Sequence, residues 1–174
     1  PARLLEDHLG CALRIGLDPV HQRIDQGRRD GRDEPALEVG GRDRVHPAVP
    51  AGVAGIGAVR LDRGPHRPLG AAHDGIIEYG YVDAVKLAGH SCPTVAGAWL
   101  MTVKALARLY GDELPRRGEV RVELQQPHDE GVAGVIGNVA GLLTGAAGDG
   151  GFKGLAGRFS RRGLLAYGAP IDGD

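Results

Sequence analysis

The aromatic residues of this 174-residue chain are all confined to one part of it. Its four tyrosines, two phenylalanines and single tryptophan all lie after residue 78. Aromatic side chains contribute much of the buried area of a protein core, so a long stretch without them is difficult to fold around a core of its own. We therefore expect the ordered core, and any chemistry that the protein performs, to lie from about Leu69 onward.

The first half differs from the second in other ways as well. Its first 78 residues contain eleven arginines, five histidines and no lysine, and its apolar residues keep neither a helical nor a strand period for long. Two interpretations fit residues 1–68. They form an extension with little structure, or they are not a natural coding product, because this composition is what GC-rich DNA gives in a wrong reading frame. The five histidines are widely spaced, which argues against a metal site among them.

Only residues 2–17 of this first half have a pattern that suits regular structure. Their leucines recur at roughly helical spacing and predict an amphipathic helix. The apolar face of that helix would consist of Leu4, Leu5, Leu9 and Leu13. Such a helix would have to dock on the later part of the chain to contribute to stability.

The charge balance excludes several classes of partner. A formal net charge of -1 gives no overall field that would hold the protein on nucleic acid or on an anionic membrane. The apolar stretches are shorter than the roughly 20 residues of a membrane span, and the N-terminus lacks a signal-peptide pattern. Two cysteines, Cys11 and Cys92, do not make a disulfide framework. We expect a cytoplasmic protein with a small-molecule ligand of unknown identity.

The clearest predicted elements are two consecutive helices. Residues 81–88 have an apolar face that includes Tyr81, and Gly89 is suited to end a helix in the left-handed conformation. Pro93 suits the first position of a second helix, whose apolar residues recur at spacings of three and four until Gly111. The two predicted helices are therefore separated by a turn of only a few residues.

The remaining pattern predicts a sheet. Residues 119–124 alternate charged and apolar side chains, as a half-buried strand does, and residues 132–139 form an apolar run that we interpret as a second strand paired with it. Residues 141–147 predict a short helix, and residues 164–167 a last strand. Helices and strands in this order indicate an α+β fold with a largely antiparallel or mixed sheet.

The turn between the two helices contains the residues with the most distinctive chemistry. His90 and Cys92 lie two residues apart, and the second helix begins at Pro93. The positive end of a helix dipole favours an anion, so a thiol at this position should have a lowered pKa. Thiolate and imidazole are ligands that zinc and similar divalent metals prefer. On residue types alone, however, the simpler interpretation is that Cys92 is a small buried residue or helix cap and His90 a hydrogen-bonded turn residue.

A metal site also needs further ligands, and the sequence places none beside this pair. The nearest acidic or imidazole side chains in predicted turns are His128, Asp129, Glu130 and Asp149. Each of these residue types is usually just solvated in a turn. The sequence therefore names two metal ligands, His90 and Cys92, and leaves the others open; it identifies no catalytic residue.

A glycine-rich stretch, residues 145–154, offers a second candidate site. It lacks the Gly-Lys-Ser/Thr ending of a phosphate-binding P-loop, because Lys153 is followed by Gly154, and it lacks the spacing of a dinucleotide fingerprint. A loop of this kind can still expose backbone amides to an anion. The alternative function is therefore a metal-free module that binds a small anionic ligand through the loop residues Asp149, Gly150, Gly151 and Lys153.

Three segments resemble one known family. Residues 83–93, DAVKLAGHSCP, with Gly97 in the following helix, resemble the His-x-Cys-Pro signature of the FmdE family, which is named after a component of formylmethanofuran dehydrogenase. Residues 131–136 and 144–154 also look like its bacterial members. The resemblance covers about residues 69–168 and makes residues 69–174 an FmdE-like domain that ends earlier than expected.

The resemblance implies an α+β fold, a divalent metal ion, most simply zinc, bound by His90 and Cys92, and often a homodimer. The family takes its name from an association with a molybdenum or tungsten oxidoreductase that reduces carbon dioxide onto methanofuran, so the expected role is that of a redox-linked enzyme or an accessory protein. Many relatives occur without that pathway, and no substrate follows. This chain has Thr94 where members often have glycine, and it has no cysteine after Cys92 for the zinc ribbon that many members carry.

Overall fold

A computed structural model describes residues 3–6, 12–18, 59–62, 76–155 and 159–171 of the chain. Six strands and three helices lie in these ranges. In chain order they are β1 (Arg3–Glu6), β2 (Ala12–Leu17), β3 (Val59–Asp62), β4 (Ile76–Tyr79), α1 (Tyr81–Ala88), α2 (Pro93–Tyr110), β5 (Val120–Leu124), α3 (Ala133–Thr144) and β6 (Leu165–Ala166). None of the helices found in these ranges is long and apolar enough to cross a membrane.

The main sheet has four strands in the order β1-β2-β5-β6. The β1/β2 and β2/β5 pairs are antiparallel, whereas β5 and β6 are parallel. The chain passes from β5 to β6 through α3, and a helical crossover is the usual way to join parallel strands. The sheet is therefore mixed, and the predicted α+β fold is confirmed. Strands β3 and β4 form a separate antiparallel pair.

The alternation of charged and apolar residues explains strand β5. Val120, Val122 and Leu124 are fully buried, and the arginine and glutamate between them are partly exposed. Side chains of a strand point to opposite faces in turn, so this pattern places one face of β5 on the core. The predicted strand over residues 119–124 is confirmed, as is the last strand, of which β6 is the central part.

The two predicted helices, α1 and α2, are also confirmed. Helix α2 begins at Pro93 and ends at Tyr110, and its buried face contains Val95, Trp99 and Leu106. Trp99 is fully buried in the core. The regular spacing of these residues is sufficient to specify an amphipathic helix, which is why the sequence predicted both ends correctly.

The prediction for residues 132–147 is wrong. We expected a strand over residues 132–139, paired with β5, and a short helix over residues 141–147; the structure has the single helix α3. A short apolar run cannot be assigned to a buried helix or a buried strand by periodicity alone. Gly137 and Gly141 permit close packing of α3: a Cβ at Gly137 would overlap the Tyr167 hydroxyl, and one at Gly141 would lie 2.8 Å from the Ala146 carbonyl oxygen.

The predicted helix over residues 2–17 is also wrong, since the described residues of this segment, 3–6 and 12–17, form β1 and β2. Strand β2 has an alternating pattern in which Leu13 and Ile15 are fully buried and Arg14 is partly exposed. In the register with β5, Ile15 lies opposite Val122. Leucine spacing alone could not reveal this, because the partner strand is more than a hundred residues away in sequence.

The position of β2 changes the extent of the folded unit. Strand β2 lies between β1 and β5, so it is an inner strand of the sheet. The amide of Asp18 continues the pairing by donating to the Glu119 carbonyl oxygen at 2.9 Å. Residues 12–18 therefore belong to the same folded unit as the second half, which the predicted boundary near residue 69 did not include. The structure does not describe Leu9, Cys11 or most of the other residues in 1–68. The predictions made for these positions lie outside the described residues.

Candidate functional site

The candidate site lies where the chain passes from α1 to α2. Helix α1 ends at Ala88, and the residue that caps it, Gly89, has a φ of 77° and donates its amide to the Val85 carbonyl oxygen at 2.8 Å. This left-handed conformation is readily adopted by glycine and turns the chain sharply. Cys92 is the N-terminal cap of α2, and Pro93 is its first residue. The turn therefore places His90, Ser91 and Cys92 in succession at the start of an 18-residue helix.

Cys92 has the environment expected of a reactive thiol. Its backbone is extended, with φ -148° and ψ 169°, and its carbonyl oxygen accepts the first helical hydrogen bond, from Ala96, at 3.0 Å. The pKa of the thiol is lowered, mainly by the Val95 backbone amide and further by the Thr94 amide and His90. Burial acts in the opposite direction. The cause of the lowered pKa is the set of unpaired amides that every helix N-terminus presents.

His90 lies beside this thiol and is exposed to solvent. Its Nδ1 is 3.1 Å from the Ala88 carbonyl oxygen, and this hydrogen bond is the main cause of a raised pKa for the imidazole; Cys92 adds to it by hydrogen bonding and by charge. When Nδ1 donates to the carbonyl, Nε2 is left as the nitrogen that can bind a metal ion. The structure thus places the two predicted ligands, His90 and Cys92, close enough on the turn to influence each other's pKa.

Two residues that support the turn were not identified from the sequence. The hydroxyl oxygens of Tyr81 and Ser91 lie 2.8 Å apart and share a hydrogen bond. Tyr81 is only 5% exposed, and its ring meets that of Trp99 edge to face, with centroids 6.2 Å apart. From the sequence we placed Tyr81 on the apolar face of α1, which is correct for the ring, but spacing alone does not predict the partner of its hydroxyl.

The other side chains that the sequence offered as candidates do not join the pair. Among the described residues, no group of three or more His, Cys, Asp or Glu side chains is arranged to hold a metal ion. His128 instead packs edge to face on Tyr167, with ring centroids 4.8 Å apart. Asp129, Glu130 and Asp149 are exposed. The described part of the chain therefore supplies two candidate ligands, His90 and Cys92.

The glycine-rich loop is hydrogen-bonded to the segment that precedes β6. Gly151 donates its amide to the Gly148 carbonyl oxygen at 3.0 Å, which closes a tight turn. The Phe152 carbonyl oxygen accepts hydrogen bonds from the Arg161 amide at 2.9 Å and from the Ser160 hydroxyl at 3.4 Å.

The side chains proposed for anion binding lie at the surface of this loop. Asp149, Gly150 and Lys153 are exposed, while Gly151 is partly buried against Ala147. The loop therefore presents both a carboxylate and an ammonium group to solvent. Since the carboxylate would repel an anion, this arrangement does not favour the anion-binding alternative, which stays a prediction.

The chain was compared with known proteins at three levels. No family model, no curated protein and no solved structure matches it. The resemblance to the FmdE family therefore stays an interpretation of the three sequence segments.

Proposed function

We propose that this protein binds a divalent metal ion, most simply zinc, through the Cys92 thiolate and the His90 imidazole. The observation that carries the proposal is that both side chains lie on one short turn at the N-terminus of α2, where the backbone amides favour the Cys92 thiolate. The raised pKa of His90 favours its protonated form, so the imidazole would lose a proton on binding a metal ion. Thiolate and imidazole are the donors that zinc most commonly takes from proteins. The pair is exposed enough for an ion to approach from solvent, since His90 is an exposed residue.

The donor set fits zinc in kind and fills part of its coordination. Zinc is usually bound by four ligands in a tetrahedral arrangement. His90 and Cys92 would hold two of these positions, and the others are open to water, substrate or further side chains. A zinc ion bound in this way would supply a Lewis acid that polarises a bound oxygen. The contribution of this chain would be to present, on one turn, a thiol whose pKa is lowered and the imidazole Nε2 of His90.

The wider role that we propose is that of an FmdE-like protein, acting as a redox-linked enzyme or as an accessory to one. This proposal rests on the resemblance of residues 83–93, 131–136 and 144–154 to that family. It is supported by the α+β fold with a mixed sheet, which the resemblance also implied. A reducing compartment such as the cytoplasm would keep the Cys92 thiol free to bind the metal.

Metal analysis of the purified full-length chain tests the proposal. After equilibration with zinc and removal of excess ion, the protein should retain about one equivalent of zinc. Cys92→Ser should abolish this retention, because a hydroxyl is not ionised near neutral pH as a helix-terminal thiol can be. Equal zinc content in Cys92→Ser and the parent protein would refute the role of Cys92.

Matched controls distinguish this site from nonspecific binding. Cys11→Ser removes the other cysteine of the chain, and His128→Asn removes a histidine that packs on Tyr167. Both variants should retain zinc as the parent does. Loss of zinc in either of them would show that the ligands lie elsewhere.

A further inference from the structure

We infer that Tyr81 is the positioning residue of the candidate metal site, holding His90 and Cys92 in place through its hydrogen bond to Ser91; this inference rests on the proposed function. Ser91 is the residue between the two proposed ligands. The bond of 2.8 Å spans ten residues of sequence and connects the turn to the first residue of α1.

The ring of Tyr81 makes this connection rigid. It is almost fully buried and packs against the ring of Trp99, which is itself fully buried in the core. A buried aromatic ring packed in this way has few rotamers open to it, so its hydroxyl is fixed relative to the core. The first turn of α1 is fixed as well, because the Asp83 carboxylate accepts a hydrogen bond from the Gly80 amide at 2.9 Å.

The Tyr81 hydroxyl acts on the ligands through Ser91. Consecutive Cα atoms are about 3.8 Å apart across planar peptide bonds, so holding Ser91 restricts the positions of both neighbours. Ser91 itself is exposed, as is His90, and neither is held by packing in the core. Cys92, in contrast, packs against the core. The Tyr81–Ser91 bond therefore supplies the restraint that the exposed part of the turn, His90 and Ser91, does not obtain from burial.

Binding of cobalt(II) alone, in place of zinc, to the full-length chain provides the test. A cobalt–thiolate bond gives a charge-transfer absorption band that reports the sulfur ligand directly. Tyr81→Phe keeps the ring and removes only the hydroxyl, and Ser91→Ala removes its partner. Each variant should bind cobalt about three- to tenfold more weakly, the change that the loss of one hydrogen bond of ordinary net strength gives. The double variant should be no weaker than either single variant, because both remove the same bond.

Two further variants separate positioning from a general loss of structure. Ser91→Thr retains a hydroxyl and should bind cobalt within about twofold of the parent, as a conservative replacement does when only the hydrogen bond matters. Tyr110→Phe removes the hydrogen bond from the Tyr110 hydroxyl to the Arg116 carbonyl oxygen, at the opposite end of α2. It should leave cobalt affinity unchanged.

The outcomes separate this inference from the proposed function. If the parent binds cobalt, Cys92→Ser does not, and Tyr81→Phe and Ser91→Ala bind it as the parent does, the metal site stands and the positioning role of Tyr81 is overturned. If the parent binds no cobalt, the proposed function fails. The positioning role is then decided in the metal-free protein by hydrogen–deuterium exchange of residues 89–92, which should be faster in Tyr81→Phe and Ser91→Ala but not in Tyr110→Phe. Unchanged exchange in the two turn variants would overturn it.

Discussion

Replacing Ile15 by alanine tests whether β2 is an integral part of the core. Ile15 is fully buried and lies opposite Val122 in the register of β2 and β5. Truncation of a buried isoleucine to alanine removes most of the side chain and leaves a cavity, at a cost of about 2 to 5 kcal/mol. Because β2 is an inner strand with neighbours on both sides, the site has little freedom to collapse. We expect Ile15→Ala to lower the free energy of unfolding by about 3 kcal/mol.

This position and Leu13 together discriminate between the strand and the helix that residue spacing suggested. On a helix, residues 13 and 15 would point about 200° apart, so both could not face the same surface of the core. On β2, Leu13 and Ile15 point to the same face, and both are fully buried. Large destabilisations by both Leu13→Ala and Ile15→Ala are therefore expected only if the segment is a strand.

Urea denaturation followed by tryptophan fluorescence provides the assay, since Trp99 lies in the same core. In a thermal scan, a loss of about 3 kcal/mol should lower the melting temperature by roughly 6 to 12 °C in a domain of this size. Arg14→Ala is the control: on the more exposed face of the sheet, Arg14 pairs with Glu123 at 3.2 Å and donates to the Pro170 carbonyl oxygen at 2.8 Å. Its removal should cost about 1 to 2 kcal/mol, less than that of Ile15. Equal midpoints for Ile15→Ala and the parent would refute the placement of β2 in the core.

Three other predictions follow from the described residues. Gly137→Ala should destabilise the fold by about 1 to 3 kcal/mol, because its Cβ would overlap the Tyr167 hydroxyl, and Tyr167→Phe should recover part of the loss in a chemical denaturation series. Iodoacetamide should alkylate the Cys92 thiol even at pH values where an ordinary cysteine is protonated, because the lowered pKa keeps the thiol ionised until the pH falls below that pKa. A pH profile of alkylation like that of a free cysteine peptide would contradict this prediction. For the anion-binding alternative, Lys153→Ala should weaken binding of inorganic phosphate and leave zinc content unchanged, and identical phosphate titrations would count against it.

Several elements could be predicted because their signals are local. The periodic apolar residues of α2, with Pro93 at its start and Gly111 after its end, define that helix within a single stretch of sequence. The alternation of charged and apolar side chains likewise identifies β5 from a single short stretch of sequence. The His90–Cys92 pair belongs to this class as well: residues two apart in a turn are necessarily close, and the effect of a helix N-terminus on a thiol depends only on the helix that follows it.

Other features depended on contacts between distant parts of the chain. The apolar, glycine-containing run that forms α3 suits a buried strand as well as a buried helix, and the choice depends on what packs against it, including Tyr167 at Gly137. Strand β2 is far in sequence from its partner β5, as the ion pair between Asp18 and Arg121 also shows. No local pattern reveals pairing over such a distance.

The sequence by itself determined the two helices, the strand β5 and the turn that places His90 beside Cys92, since each depends on residues close together in the chain. Only the tertiary structure decided that residues 12–17 complete the sheet, that α3 is one helix, and that the Tyr81 hydroxyl reaches Ser91. The physical reason is the same in all three cases. Burial and hydrogen bonding between residues distant in sequence select among local conformations that are nearly equal in free energy, and the local sequence does not contain that information.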